Sequence, residues 1–363
     1  MSLTFPDTGV RVPYADLLSF TTRVFQDRGV PAARAATAAT ALLYGDLHGL
    51  GSHGLANLRR LYLPLFDTGR CDPAAEPEIV RDTGPAAVVD AGTALGLWAA
   101  TEAVELAADK AGDHGVGLVS VRGGTHFGCA GHHAAVAAAR GMIGVVASNC
   151  GGQRIARPPG GAVAMLGTNP LSVAAPARPD RPFVLDMSTT VVPTGRVRAA
   201  ARAGEAIPGG WLADEQGHPV TDPAAFDRGE AHLRWLGGDP ETGAYKGFGL
   251  ALAVELLAAA LSGAALGPAP AALDGDGGPH GLDDDIGYLV LAIAPETLRP
   301  GGGFATTVRA MFGTLLDCPP AAGADAVRYP GWLEAERAAV HRKSGVPLAR
   351  DVHEDLVATG LPR

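Results

Sequence analysis

Cysteine is scarce: the chain has four in 363 residues, at positions 71, 129, 150 and 318, and no CxxC pair. Such spacing supplies neither a zinc knuckle nor a disulfide framework, so the thiols read as reduced and no metal centre is expected. Charge is sparse as well. Only 18% of residues are charged, the formal net charge is -9, and no run of Lys and Arg makes a basic stripe. Nucleic acid needs that stripe and is excluded as the expected partner. Asp7, Arg11 and Asp16 interrupt the apolar run that a signal peptide would need, so a cytoplasmic location is expected. Phosphate-binding glycine motifs are missing too: there is no GxxxxGK[ST], and no GxGxxG joins a strand to a helix. The nearest stretch, "GVGLVS" at 115–120, leads into a strand. A P-loop or Rossmann site therefore has no support.

What is present is apolar residue and turn. Hydrophobic residues make up 47% of the chain, enough for two or more packed lobes, and 50 glycines and 28 prolines are spread between periodic segments as turns. One stretch, "GLALAVELLAAALSGAAL" at 249–266, is about as long as a bilayer span but contains Glu255. A carboxylate is costly in hydrocarbon, so the stretch reads as an interior helix of a globular protein with no membrane partner.

Apolar spacing from Tyr14 to Tyr44, broken by "GVP" at 29–31, predicts two helices, and "NLRRLYLPLF" predicts a third. "AAVVDAG" reads as a strand, "LWAATEAVELAADKAGDHG" as a helix closed by Gly115, and "VGLVSVRG" as a strand. "AGHHAAVAAARGM" reads as a helix and "IGVVASN" as a strand. Two broken strands over 160–187, a long helix after Lys246, a loop at 267–285, the strand "GYLVLAIAP" and a terminal helix complete the order. Strands this close together predict a mixed α/β fold with a partly antiparallel sheet.

Four stretches carry side chains with chemistry. Ser52 and His53 lie side by side in "GLGSHGLANLRRLY"; taken alone they are a helix-capping serine and a backbone-bonded histidine. His126 sits in "GGTHFGCAGHHA", in a tight turn where a histidine is more often structural than catalytic; His132 and His133, as helical neighbours, do not share a face to bind metal. Asp186 ends the strand of "VLDMSTT", a costly place for a carboxylate unless it orients a histidine or caps. Lys246 enters a helix between glycines in "GAYKGFGLALAVE", placed to meet a phosphate or carboxylate.

Their order carries more than any one of them. The succession "GSHGL", "THFGCAGHHA", "GMIGVVASN", "RPPGGAVAMLGTNPLSVAAP", "VLDMSTT", "IPGGWLADEQGHPVTDP", "YKGFGLALAVELL" and "RYPGWLEAERAAVHRKSGVPL" closely resembles the type-2 malate/L-lactate dehydrogenase family, over nearly the whole chain. That family also holds ureidoglycolate and sulfolactate dehydrogenases, diketogulonate reductase and piperideine-/pyrroline-2-carboxylate reductase. The resemblance implies a non-Rossmann NAD(P)-binding fold with a largely antiparallel sheet, and a homodimer with active sites near the subunit interface. It implies a sheet domain over 76–266 and a helical, dimerising, substrate-side domain from 1–75 with about 267–363.

By matching positions, His53 resembles the acid/base histidine, Asp186 the carboxylate that orients it and holds it charged, and Ser52 a member of the same cluster. His126 matches a second active-site histidine, so either imidazole is a candidate proton donor, with His53 preferred. Asn149, Cys150, Gly167, Thr168, Asn169, Asp186, Met187, Ser188 and Lys246 match cofactor-proximal positions. Arg154 and Arg157, in a segment slightly longer than usual, suit a 2′-phosphate and put NADPH ahead of NADH, with solvated surface arginines as the plainer reading.

Departures bear on substrate. Many members carry arginine four residues after the histidine, where its fork holds the substrate carboxylate; here the residue is Asn57. Either Arg59 or Arg60 takes over, or the substrate lacks a carboxylate at that place, Asn57 then meeting an amide, hydroxyl or imine. His133 and Trp332 also differ from the residues usual at their positions. The expected activity is reduction of a small 2-oxo acid or cyclic imine, or oxidation of a 2-hydroxy acid. Two rivals stand beside it: a Ser52-His53-Asp186 hydrolase, against which neighbouring Ser and His rarely aim at each other, and a cofactor-binding protein without catalysis.

Overall fold

A computed structural model describes residues 9–275 and 282–362. The first eight residues, with Asp7 of the signal-peptide reading, and part of the 267–285 loop lie outside the described residues. The chain opens with β1 (Val10–Val12), α1 (Tyr14–Asp27) and α2 (Ala32–Leu47), the helix pair expected on either side of "GVP". Short 3-10 turns over Gly51–His53 and Leu55–Asn57 lead into a π-helical turn, Leu58–Tyr62, and α3 (Leu63–Asp67). Pro64 has no N–H to offer the Arg60 carbonyl, which loosens the ladder where the π-turn forms.

Next come β2 (Glu78–Asp82), β3 (Ala86–Asp90), α4 (Gly96–His114), β4 (Val116–Gly124), α5 (Ala130–Ala139), β5 (Ile143–Ser148), β6 (Leu171–Arg178) and β7 (Arg181–Met187). A smaller lobe is built from α6 (Thr194–Ala203), β8 (Leu212–Ala213), β9 (Pro219–Val220), α7 (Ala224–Asp227) and β10 (His232–Leu233). Its three short strands order as β10-β8-β9 over a core that includes Val197, Leu212 and Phe226. Then follow α8 (Ala244–Val254), β11 (Ile286–Ile293), α9 (Pro295–Leu298), α10 (Gly303–Leu316), α11 (Trp332–Ser344), β12 (Val346–Leu348) and α12 (Arg350–Ala358).

The main sheet orders β2-β3-β4-β11-β5-β6-β7, and only the β3/β4 pair is parallel. α4, buried along most of its length around Trp98, packs with α2, α5, α1 and one sheet face into the largest core cluster. Each fully buried Leu or Phe in such a cluster stabilises by roughly 1.5–3 kcal/mol. The terminal segments meet, β1 pairing antiparallel with β12 and Leu356 and Leu361 joining the α1/α2 core. One element departs from the expected division. β11 belongs to the C-terminal segment yet lies mid-sheet, between β4 and β5, because both its faces are apolar and need cover.

α8 continues as a π-turn over Glu255–Ala260, and Glu255 is buried there, accepting from Asn169 Nδ2 at 2.9 Å and the Gly267 N–H at 3.3 Å. The carboxylate that argued against a bilayer is thus a buried tie between α8, the turn before β6 and the chain after 266. Among the described residues no helix is long and apolar enough to cross a membrane.

Candidate active site

The Ser52-His53 turn is shaped by what lies beneath it. Asp46, at the end of α2 and 7% exposed, accepts the Leu55 N–H through Oδ2 at 2.7 Å. A Cβ on Gly54 would overlap that carboxylate, so only glycine lets the backbone close onto it. Burial drives the Asp46 carboxyl up to about 7, against the pull of the Leu55 N–H. On the other side α6 begins against the turn, where a Cβ on Gly195 would overlap Ser52. Held this way, Ser52 Oγ lies 2.9 Å from His53 Nδ1. The neighbours do aim at each other, contrary to expectation, because the 3-10 turn folds one side chain back over the next.

His126 faces His53 with its ring nearly parallel, the centroids 6.3 Å apart and the planes inclined by 18°. Its Nδ1 accepts from the Tyr62 hydroxyl at 2.8 Å and the Gly128 N–H at 3.2 Å. A backbone N–H can only donate, so the neutral ring keeps its proton on Nε2. Burial raises the Tyr62 phenol well above its usual range, which keeps it a donor. The loop is fixed from behind: His133 Nε2 donates to the Phe127 carbonyl at 2.8 Å, and the Tyr288 hydroxyl to the Thr125 carbonyl. Burial, and after it the charges of His126 and Arg60, lowers His53 to about 4; burial, and after it Arg60 and His133, lowers His126 to about 4.

The expected ion pair between His53 and Asp186 is not formed. Asp186 accepts the Gly131 N–H at 2.8 Å at the start of α5, and burial pushes its carboxyl up to about 6. Among the described contacts His53 bonds Ser52, and its charged neighbours are cationic, so its imidazole is neutral at pH 7 rather than held charged. The strand-end carboxylate found a backbone partner instead.

Of the substrate candidates, Asn57 and Arg60 join the site and Arg59 leaves it. Asn57, 4% exposed, donates Nδ2 to the Ser52 carbonyl at 3.0 Å and accepts Arg60 Nη2 on Oδ1 at 2.7 Å. Arg59 turns outward to Asp355 on α12 at 2.9 Å.

A backbone ladder gathers several cofactor candidates. The Thr168 carbonyl accepts both the N–H and the hydroxyl of Thr189, at 2.9 and 2.8 Å; the Thr189 carbonyl accepts the Leu236 N–H; the Leu236 carbonyl accepts the Gly247 N–H. Gly167, Thr168 and Asn169 are thereby tied to the chain just after Met187 and Ser188 and to the first turn of α8, which bears Lys246. Lys246 is exposed and makes no ion pair among the described residues. Cys150 Sγ lies 3.6 Å from Thr168 Oγ1.

Other candidates are spent on the fold. Asn149, 1% exposed, bonds the Ala265 carbonyl and the Gly287 N–H. Arg154 is buried with Nε on the Gly267 carbonyl at 2.7 Å, and Arg157 lies 3.7 Å from Glu215. Ser188 Oγ donates to the Thr190 carbonyl.

Sequence reasoning passed over Asp46, Tyr62, Arg198 and Arg202. The last two lie one helical turn apart on α6 and, with Arg60, Arg70, Gln153 and Asp227, line a cavity of about 660 Å³. The i,i+4 arginine spacing on a short helix was the available signal; Asp46 and Tyr62 had none, since their partners come from other elements.

The family described as malate/L-lactate dehydrogenase matches residues 12–357. The chain is 38% identical over 255 residues to malate dehydrogenase of Pyrococcus horikoshii, covering 70% of this chain and 69% of that one. It is 34% identical over 337 residues to (2R)-3-sulfolactate dehydrogenase (NADP(+)) of Chromohalobacter salexigens, covering 92% and 93%. The crystal structure of malate dehydrogenase from Entamoeba histolytica superposes with a TM-score of 0.89 at 28% identity, over 97% of each chain.

Proposed function

The chain belongs to the malate/L-lactate dehydrogenase family, and from that premise we propose that it moves hydride between nicotinamide and the 2-carbon of a small 2-oxo or 2-hydroxy acid. It is an NAD(P)-dependent dehydrogenase or reductase. One observation carries the proposal: the half-buried imidazoles of His53 and His126 stand 6.3 Å apart, His53 on a turn braced by α2 and α6 and tied to the Arg60 guanidinium through Asn57.

The residues present fit a dinucleotide. The buried Asn169 Oδ1, beside Gly167, has no hydrogen-bond partner, and Lys246 brings a cation to the first turn of α8. Gly167, Thr168, Asn169, Met187 and Lys246 would hold the cofactor, which gives or takes the hydride when bound.

The imidazoles move and place the proton. In reduction, protonated His53 gives its Nε2 proton to the oxygen that gains the electron pair of the C=O bond, and Ser52 holds the ring through Nδ1. His126, whose Nε2–H is fixed by the donors on its Nδ1, polarises the same oxygen. Oxidation runs in reverse, with neutral His53 accepting the hydroxyl proton. A cyclic imine acid is the second substrate class, its nitrogen taking the proton.

The hydrolase reading lacks its third member, since Asp186 bonds Gly131 and not His53. The homodimer implied by the resemblance is part of this proposal. Tyr245 (67% exposed), Leu252, Leu256 (67%) and Leu261 make an apolar stripe along α8 and the chain just beyond it, and a second copy would take that stripe out of water.

The test is titration with NADH and NADPH by nicotinamide fluorescence, then a panel of 2-oxo acids and cyclic imine acids at 340 nm. His53→Ala is expected to cut kcat by about 100-fold or more with cofactor affinity kept. No nicotinamide binding, or full turnover in His53→Ala, rejects the reading.

A further inference from the structure

One of the four cysteines is held unlike the rest. Cys71 and Cys129 are each 3% exposed, and burial raises the first thiol to about 12 and the second well above its usual range, with nearby carboxylates adding to the rise. Cys318 lies exposed just past α10. Cys150, at the end of β5 and partly exposed, is instead met by donors. Thr168 Oγ1 lies 3.6 Å from its sulfur, and the N–H groups of Thr168 and Asn169 bond it as well. Burial raises this thiol too, but the Asn169 N–H, then the Thr168 hydroxyl and N–H, pull it back towards the anion; Asp283, paired with Arg70, is the charge that faces it. Asn169 has φ +37°, in a turn that offers successive N–H groups to one side, a concavity that suits negative charge. An acceptor stands beside the same sulfur. Asn169 is fully buried, and its Nδ2 bonds the Ala251 carbonyl at 3.1 Å and Glu255 Oε1 at 2.9 Å, which fixes the amide and leaves Oδ1 without a partner among the described residues. A Cβ on Gly167 would stand 2.4 Å from the Cys150 sulfur and 3.3 Å from that Oδ1, so both atoms border the space that glycine leaves open.

We propose that Cys150 is an oxidisable thiol that shuts off cofactor binding: a hydroperoxide converts it to a sulfenic acid, and a small thiol then caps it as a mixed disulfide. In the first step the thiolate sulfur attacks the peroxide, the S–O bond forms and the O–O bond breaks. Sulfur loses two electrons, the peroxide gains them, and its other oxygen leaves as water or alcohol with the proton of the thiol. In the second step the incoming thiolate attacks the sulfenic sulfur, the S–S bond forms, the S–O bond breaks, and the oxygen leaves as water with the proton of the small thiol. The N–H groups that face Sγ stabilise the attacking thiolate, and Asn169 Oδ1 accepts the O–H of the sulfenic acid. Cys71 and Cys129 lack both the donors and the exposure, and stay reduced. An oxygen or a cap on Sγ fills the space over Gly167 and displaces Thr168, in the turn assigned above to the cofactor. On that point the inference rests on the dehydrogenase reading.

The experiment uses the full chain with Cys318→Ser, which removes the other exposed thiol, beside the same chain with Cys150→Ser added. Each is treated with hydrogen peroxide and excess dimedone, which traps sulfenic acid, and separately with peroxide followed by glutathione. The tryptic peptide 141–154, which carries position 150, is read by mass spectrometry. NADH and NADPH affinities are read by nicotinamide fluorescence once the reagents are removed. Dimedone is expected on Cys150 and not on Cys71 or Cys129, at a rate that climbs close to tenfold per pH unit from about pH 7 to 8.5, since the thiolate is the reactive form. Saturating NADPH slows it. Thr168→Val, which takes one donor from the sulfur, is expected to slow trapping about 5-fold, the worth of one hydrogen bond. Glutathione on Cys150 is expected to abolish nicotinamide binding and dithiothreitol to restore it. Cys150→Ser keeps through both treatments whatever affinity it starts with.

Absence of dimedone from peptide 141–154 overturns the inference, and so does full nicotinamide affinity in protein whose Cys150 is capped throughout. Should the untreated chain bind neither NADH nor NADPH, the dehydrogenase reading fails, while the trapping map and the Thr168→Val rate still decide whether the turn activates the thiol; equal trapping in Thr168→Val refutes it. Circular dichroism before and after treatment separates an excluded cofactor from lost fold. If capping unfolds the chain, protection by NADPH decides, and equal trapping with and without it overturns the inference.

Discussion

Proton supply at His53 sets a pH dependence that can be worked from the burial of the ring. Its pKa falls from 6.5 to about 4 because burial disfavours the cation, and His126 and Arg60 add positive charge to the same surroundings. At about 1.4 kcal/mol for each pH unit, charging the ring costs roughly 3 kcal/mol more than in water, and at pH 7 about one free enzyme in a thousand carries the proton. The groups that face it are Ser52, which is uncharged, His126 and Arg60; Asp186 lies on Gly131. The constant kcat/KM reports the free enzyme. For 2-hydroxy acid oxidation, which needs neutral imidazole, it should be flat from about pH 6 upward and fall only towards pH 4. For reduction it should drop close to tenfold per pH unit above about 5. An anion bound at Arg60 cancels one of the nearby positive charges, so the reduction limb of kcat, read in the ternary complex, should lie at higher pH than that of kcat/KM. The assay is initial rate at 340 nm in both directions across pH 4.5–9 at constant ionic strength, supported by NMR titration of the histidines. An oxidation limb at pH 6.5 or above that vanishes in His53→Ala would refute the reasoning, since it would mean that a carboxylate holds the ring charged.

Two further outcomes follow from the same turn. Asp46 is carried up to about 7 in the fold from 3.8, and a carboxyl raised in this way favours folding below its unfolded pKa and loses that advantage as pH rises through about 7. Replacement by Asn removes the titration, so the stability difference between Asp46→Asn and the wild type should shift by up to about 4 kcal/mol between pH 4 and pH 8, in favour of the variant at high pH, as read by urea unfolding; a difference independent of pH refutes the shift. Asn57→Arg restores the side chain common in the family, but in this chain it takes away the oxygen that orients Arg60 and sets two guanidinium groups together. It should therefore lower kcat/KM on 2-oxo acids about 10-fold or more, and a rise would show that position 57 alone set specificity.

Local periodicity made most elements legible. The α1/α2 break at "GVP" and the strands β3, β4 and β5 stand where apolar spacing and Gly or Pro punctuation put them. The mid-sheet position of β11 was not legible, because strand order is a matter of pairing across more than a hundred residues, and an apolar run fits any covered place in a sheet. Asp186 shows the same limit at the scale of a side chain. Its position at the end of an apolar strand correctly implied a costly carboxylate that needs a partner, but the partner is an amide of α5, and an amide has no signature in sequence. Ser52 and His53 looked like residues too close to meet, and a 3-10 turn made them meet. Asp46 carried no signal in sequence, because its partner is the Leu55 N–H of a chain that folds back over it at Gly54.

These contacts tie the parts of the site to shared elements. The proton-transfer pair is held by α2, by the start of α6, by the His126 loop and by Tyr62. The cavity lined by Arg60, Arg198 and Arg202 depends on α6, in the smaller lobe, and on the turn of π-helix that bears both Arg60 and Tyr62. Asn57 spans both, through two hydrogen bonds at opposite ends of one amide. Positions 198 and 202 lie beyond the first turn of α6 that meets Ser52, so a substitution there changes the lining of the cavity while the bonds of His53 and His126 are kept. A substitution at 57 does not keep them, since moving the amide displaces Ser52 and Arg60 together. Kinetics separate the two cases: α6 variants act through KM with the pH profile kept, whereas Asn57 variants shift KM, kcat and the His53 titration at once.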